Sequence, residues 1–178
     1  MNICVFCSAS DEQQAEVVRH TEELGAWMAR HGHTLVYGGV DSGLMERLAR
    51  AVKAGGGRTI GVVPEKLLRE GRVSACVDVE IGCADLSDRK QLLMDQSDAF
   101  VVLPGGIGTL DEMFCVAASA TIGFHRKPLV VYNMCNFWQP LIDLLDTLAR
   151  QGMMRGEWHR HIAVATTLDE LARLLSAS

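Results

Sequence analysis

Five apolar stretches, residues 3–6, 34–37, 59–63, 100–103 and 128–132, run on without alternating polar and apolar positions. A strand with one face in water alternates, whereas a strand covered on both faces does not. Between these stretches, residues recur at helical spacing: Val17, Thr21, Leu24 and Met28, then Leu44, Leu48 and Val52, then Leu141, Leu144, Leu145 and Leu148. Residues 87–97 read as a further helix on Leu92 and Leu93, and Leu168, Leu171, Leu174 and Leu175 mark a last one. Strands alternating with helices predict the α/β class, a Rossmann-like open, mostly parallel sheet with helices on both faces. With 178 residues, no low-complexity linker and no repeat at a solenoid period, residues 1–178 are expected to form one domain.

Local signals mark several ends. Ser10 with Gln13 fits a capping box opening the first helix, and Gly32 and the glycines at 55–57 close the first two. Residues 65–83 mix charge, glycine and an alternating run at 77–81, which suggests one short strand; another is expected at 162–165. Ligands of parallel sheets bind outside the carboxyl ends of the strands. The turns at 7–10, 38–43 and 104–108 fall there and should converge on one cleft.

Composition excludes several classes. A net charge of −5 argues against a nucleic-acid partner, which calls for a basic surface. No apolar stretch approaches the roughly 20 residues of a membrane span, and residues 1–10 lack the basic flank of a signal peptide. A cytoplasmic protein without a membrane partner is expected. Cys4, Cys7, Cys76, Cys83, Cys115 and Cys135 are scattered and read as reduced and structural. Cys4 and Cys7 sit three apart on and just after a strand, so their thiols should point to opposite faces rather than share a metal.

The informative stretch is 99–112, AFVVLPGGIGTLDE. A buried strand, a glycine turn and a helix start present unpaired backbone N–H groups and the positive end of a dipole to an anion. Glycine lets the main chain approach a phosphate closely and adopt positive φ. Yet two acids, Asp111 and Glu112, stand just behind this site. Thr109-x-x-Glu112 is by itself a capping box needing no ligand, and the same four letters recur at 167–170, where an ordinary helix start is expected. What sets the first copy apart is the PGGIG ahead of it.

The turn lacks the lysine of a Walker A loop and the third glycine of a dinucleotide fingerprint, which argues against an NTPase and a common NAD enzyme. There is no G-x-S-x-G elbow, and His159-x-His161 has no metal-ligand spacing. His20, His31 and His33 read as surface residues and His125 as structural. A phosphate could take donors from Gly106, Gly108 and Thr109, with a carboxylate one turn on facing the sugar. Cleaving a ribosyl bond passes through an oxocarbenium-like cation that such a carboxylate stabilises while orienting water. Arg89 and Lys90 could balance Glu112, hold it ionised or bind phosphate. At a helix start these cations call for an anionic partner.

The motif at Pro104, Gly105, Gly106, Ile107, Gly108, Thr109, Leu110, Asp111 and Glu112 is PGGxGTxxE, with Ser87-Asp88-Arg89-Lys90 upstream. Together with Gly38-Gly39, Gly43-Leu44-Met45 and residues 60–64 and 97–100, it closely resembles the Lonely Guy family. Those are cytokinin riboside 5′-monophosphate phosphoribohydrolases, often mislabelled lysine decarboxylases. The resemblance implies a Rossmann-like homodimer that hydrolyses the N-glycosidic bond of a nucleoside 5′-monophosphate, with no cofactor and no metal. It implies Arg89 and Glu112 as the catalytic pair. Ser8, Gly38, Gly39, Lys90, Gly105, Gly106, Ile107, Gly108, Thr109 and Asp111 would bind substrate. The chain departs from the family pattern at Cys7-Ser8-Ala9, Val40, Glu46 and residues 118–122. A non-catalytic binder or carrier of a nucleotide-like phosphorylated cofactor is the alternative on the same fold. A lysine decarboxylase is disfavoured, because Lys53, Lys66, Lys90 and Lys127 are the only lysines and none has a recognisable cofactor context.

Overall fold

The computed structural model describes residues 1–154 and 156–176. Seven strands are present, β1 (Asn2–Phe6), β2 (Thr34–Tyr37), β3 (Arg58–Pro64), β4 (Val79–Cys83), β5 (Ala99–Val102), β6 (Leu129–Tyr132) and β7 (Ala163–Ala165). They alternate with α1 (Ala15–Arg30), α2 (Gly43–Ala54), α3 (Glu65–Arg69), α4 (Leu86–Asp95), α5 (Ile107–Thr121), α6 (Gln139–Arg150) and α7 (Leu168–Ser176). The strands form a single sheet in the order β4-β3-β2-β1-β5-β6-β7 with every neighbouring pair parallel. The expected α/β class holds, and the sheet is fully rather than mostly parallel.

Alternate residues of each central strand enter opposite cores. Ile3, Val5, Leu35, Tyr37, Val101 and Val130 pack under α1, α2 and α7, whereas Cys4, Phe6, Val36, Phe100, Val102 and Val131 pack under α5 and α6. Both faces are therefore dry, which is why the strands show no polar alternation. Cys4 and Cys7 fall in different cores as their spacing predicts, and neither is paired. Chain order reverses between β1 and β5, so the loops after these strands diverge and leave a crevice at their carboxyl ends.

Several local expectations are corrected. The Ser10–Gln13 capping box does not form: α1 starts at Ala15, and its cap Gln14 makes no side-chain capping bond. Ser10 Oγ instead accepts from the Glu12 N–H, and Gln13 reaches back to Ser8 Oγ at 3.0 Å. The helix expected at 87–97 begins at Leu86, capped by Asp85, which accepts from the Ser87 and Asp88 N–H groups. The short helix α3 was not legible, because it buries no side chain and so imposes no apolar spacing.

The two TLDE copies separate cleanly. At the second, the Glu170 N–H donates to Thr167 Oγ1 at 3.2 Å, and Glu170 Oε2 accepts from the Thr166 and Thr167 N–H groups at 2.8 and 3.4 Å. This is a reciprocal capping box. The first copy makes none, because α5 already begins at Ile107 with Gly106 as its cap. Thr109 and Glu112 consequently lie inside the helix, both buried. Thr167→Ala should lower the unfolding free energy by about 1 kcal/mol. Glu170→Ala should act in the same direction, and chemical denaturation of the double variant should fall short of the sum of the two losses, since both remove one motif.

Candidate active site

Three loops meet at the carboxyl ends of β1, β2 and β5. The Ser8 N–H donates to the Pro104 carbonyl at 3.1 Å, the Ser8 carbonyl accepts from the Leu44 N–H at 2.9 Å, and Asp11 accepts from the Gly43 N–H at 2.9 Å. Gly43 has φ +60°, and a Cβ there would lie 2.5 Å from the backbone of Ala9 and Ser10. The expected convergence on one cleft is thus present, with Ser8 as its pin. The Ser8 hydroxyl is engaged within the loop, accepting from the Ser10 N–H and from Gln13.

Around this crevice α4 and α5 face one another with two consecutive charges each. Arg89 Nη1 stands 3.5 Å from Glu112 Oε1, and Lys90 Nζ donates to both Asp111 oxygens at 2.9 Å. The cations at the start of α4 are therefore answered by the acids of α5, and the acids by the cations. Lys90, expected to touch substrate, is paired with Asp111, which was expected to do the same.

Arg89 is immobilised from the other side by the sheet. Its Nε donates to the Val62 carbonyl at 3.1 Å and its Nη2 to the Gly38 carbonyl at 3.2 Å. Two main-chain carbonyls thus orient the planar guanidinium and leave Nη1 for Glu112. A side chain at Gly38 would run into the guanidinium, and one at Gly39, where φ is +70°, into Val63 Cγ2 at 2.5 Å. These glycines admit Arg89 and let the turn close onto β3. The Val62 and Gly38 carbonyls, which backbone atoms of any residue type could supply, had no signal in the sequence.

Glu112 is 8% exposed. Burial raises its carboxyl pKa above the ordinary glutamate value, Arg89 offsets part of that rise, and Asp111 adds to it. The same burial, followed by the charge of Glu112, pushes the Cys7 thiol far up, and Cys4 likewise. Both cysteines form inert packing under the site.

The glycine turn differs from expectation in one respect. Gly105, Gly106 and Gly108 do not adopt positive φ. A Cβ at Gly105 would collide with Thr109, whereas at Gly106 and Gly108 it would meet open space. Gly106, Ile107 and Gly108 are exposed at the start of α5, and no side chain caps this turn. The uncapped N–H groups, the open approach and the helix dipole are suited to an oxyanion. The turn and the buried carboxylate of Glu112 belong to one helix, one turn apart.

The residues 45–175 match a family model described as possible lysine decarboxylase. The chain belongs to the Lonely Guy family. It is 35% identical to a probable cytokinin riboside 5′-monophosphate phosphoribohydrolase of Oryza sativa subsp. japonica over 97% of this chain and 71% of the relative. With a cytokinin riboside 5′-monophosphate phosphoribohydrolase of Arabidopsis thaliana the identity is 34%, over 97% of this chain and 80% of the relative. The molybdenum cofactor carrier protein of Chlamydomonas reinhardtii superposes with a TM-score of 0.73 at 26% identity, covering 98% of both chains. The molybdenum cofactor binding protein of Rippkaea orientalis shares the fold, with a TM-score of 0.74 at 21% identity over 99% of this chain and 95% of its own. Three of the four lysines are engaged, Lys53 with Asp78, Lys90 with Asp111 and Lys127 with the Met94 carbonyl. His125 is structural as expected, packed on Phe100 and bonded through both ring nitrogens to the main chain of Val116 and Lys127.

In a carboxyl NMR titration, Glu112 should protonate at higher pH than an exposed glutamate. Arg89→Met removes the cause that lowers its pKa, so the midpoint should move higher still; a downward move would show that burial does not govern it.

Proposed function

We propose that this member of the Lonely Guy family hydrolyses the N-glycosidic bond of a nucleoside 5′-monophosphate, AMP or a cytokinin riboside 5′-monophosphate, giving free base and ribose 5-phosphate. The observation that carries the reading is the buried Glu112 carboxylate, held 3.5 Å from a clamped Arg89 one turn behind an uncapped glycine turn. The 5′-phosphate binds the N–H groups of Gly106, Ile107, Gly108 and Thr109, with Gly105 and Ser8 shaping the turn. That anchor fixes the ribose over Glu112 and converts position into rate.

As the C1′–N bond breaks, its electron pair leaves with the base and positive charge develops on the ribose. Glu112 meets that charge with a carboxylate already in place, in surroundings from which water is largely excluded. It also orients the water whose oxygen bonds to C1′; one water proton ends on the base nitrogen. Arg89 keeps Glu112 ionised and aimed. It is the charge balance of the site in the free protein and the natural neighbour of a phosphate or leaving base. Asp111 and Lys90, neutralised by each other, border the sugar. The homodimer and cytoplasmic location belong to the same reading. The dimer is supported by the apolar outer edge of α5, where Phe114, Ile122 and the neighbouring Phe124 are exposed.

A second reading is favoured by one observation, the near-complete superposition on a molybdenum cofactor carrier. On that reading the same turn holds a phosphorylated cofactor and Glu112 does no chemistry.

Base release from AMP and N6-prenyl-AMP separates the two. Turnover should occur, falling about 10²–10³-fold in Glu112→Gln, the scale on which loss of one preorganised electrostatic contact acts. Because the carboxylate is the active form and its pKa is raised, the rate should climb with pH through a range above the ordinary glutamate value. Arg89→Met should displace that limb upward. Stoichiometric ligand retention without turnover, unchanged in Glu112→Gln, would establish the carrier.

A further inference from the structure

On the other face of the sheet lies a cluster that the hydrolytic site does not use. The turn after β6, the short 3₁₀ segment Met134–Asn136, has two non-glycine residues in the left-handed region, Cys135 at φ 54° and Asn136 at φ 56°. Asparagine visits that region readily, cysteine seldom. The turn is held by Asn133, whose Oδ1 accepts from the Trp138 N–H at 2.7 Å and whose N–H donates to the Ala165 carbonyl at 2.7 Å. Cys135 is exposed, while Cys4, Cys7 and Cys83 are buried.

The Cys135 thiol meets α1. One ligand atom each from Glu16, His20 and Cys135 lie within 4.8 Å of one another. Glu16 and His20 are four apart on the helix and therefore share a face. His20 Nδ1 is 3.1 Å from Glu23 Oε2, and its Nε2 is 3.9 Å from Glu16 Oε1. A carboxylate on Nδ1 favours the proton there and leaves Nε2 as the acceptor, now facing Arg19 Nη2 at 3.2 Å with the other two groups within 4.8 Å. A carboxylate behind the ring is the second-sphere arrangement of metal-bound histidines. The ring is further steadied edge-on by Tyr132, its centroid 6.5 Å away.

We propose that Glu16, His20 and Cys135 bind a zinc ion, with Glu23 as the orienting partner of His20. Sulphur, nitrogen and oxygen donors together suit zinc, which takes all three tetrahedrally, and not calcium or magnesium, which take oxygen. One thiolate and one carboxylate neutralise a divalent ion, and water completes the tetrahedron. Bond lengths of about 2.0–2.3 Å require the donors to close by on the order of 1 Å. The Glu16 side chain, 63% exposed, can supply that movement by leaving its ion pair with Arg19 Nη2 at 3.7 Å. Arg19 Nη2 stands 3.2 Å from His20 Nε2 and must give way; it is already bonded to Glu23 through Nη1 at 2.7 Å. The ion ties the start of α1 to the turn after β6, away from Arg89 and Glu112.

Full-length protein stripped with a chelator and titrated with cobalt should take up one equivalent with sulphur-to-metal charge-transfer absorption, displaced by zinc. Cys135→Ser should abolish the absorption, and Glu23→Gln should weaken zinc binding about 10–100-fold. Zinc should raise the melting temperature of the wild type but not of Cys135→Ser, both folding normally without metal as judged by circular dichroism. Absence of the sulphur band, or a band that survives Cys135→Ser and vanishes in Cys115→Ser, would overturn the assignment.

Discussion

The arrangement of this protein depends on one ion pair between two helices that do not themselves need it. A carboxylate as enclosed as Glu112 would be expensive beside apolar groups alone, and Arg89 at 3.5 Å makes it tolerable. Arg89 is in turn tolerable because the carbonyls of Gly38, just past β2, and Val62, within β3, accept from it. A buried pair of this kind is weak evidence for stability, since apolar residues of similar volume commonly serve a fold as well. What the structure shows is a pair whose geometry is fixed from both sides, by carbonyls behind Arg89 and by the helix that carries Glu112. The neighbouring pair, Lys90 with Asp111, completes a two-rung contact that sets α4 against α5 in one register.

Sheet topology explains why the pair lies where a ligand can reach it. β1 and β5 are neighbours in space but distant in sequence, and the chain leaves them in opposite directions. The crevice between their carboxyl ends is filled by loops rather than by a helix. Ser8 from one loop bonds Pro104 of the other, so the glycine turn is braced before any ligand arrives. Only then do the helix dipole of α5 and its uncapped N–H groups act at a fixed point.

Much of this was readable from residues alone, for a physical reason. Dry strands carry uninterrupted apolar runs, and helices packed on one face carry apolar spacing, so β1–β3, β5, β6, α2 and α6 were legible to within a few residues. The pairing of Arg89-Lys90 with the acids of α5 followed from charges set against the helix dipole. Where the decisive partner was backbone, the sequence was silent. The clamp on Arg89 uses carbonyls of Val62 and Gly38, and the missing side chain at Gly38 leaves room for the guanidinium. Four identical letters gave a cap at 167–170 and none at 109–112, because helix α5 starts at Ile107, three residues earlier than a cap at Thr109 would set it. Capping is set by where the helix begins, and PGGIG moves that beginning.

The family departures fall at three places, of which Cys7-Ser8-Ala9 lies in the loop whose Ser8 N–H donates to the Pro104 carbonyl. Val40 bridges to Val73, and Glu46 accepts from the Ser74 hydroxyl and from Arg50 Nε at 2.6 Å. These residues fasten the segment after α3 onto the β2–α2 turn and make no contact with Glu112. The other departures, among residues 118–122, lie at the far end of α5. There Ala118, Thr121 and Ile122 line an apolar groove of about 520 Å³ with Phe114 and Trp158. None of the three replaces Arg89, Glu112 or a residue of the glycine turn, so the ion pair and its clamp do not depend on them, and only the departure at Cys7-Ser8-Ala9 touches the loop that braces the turn.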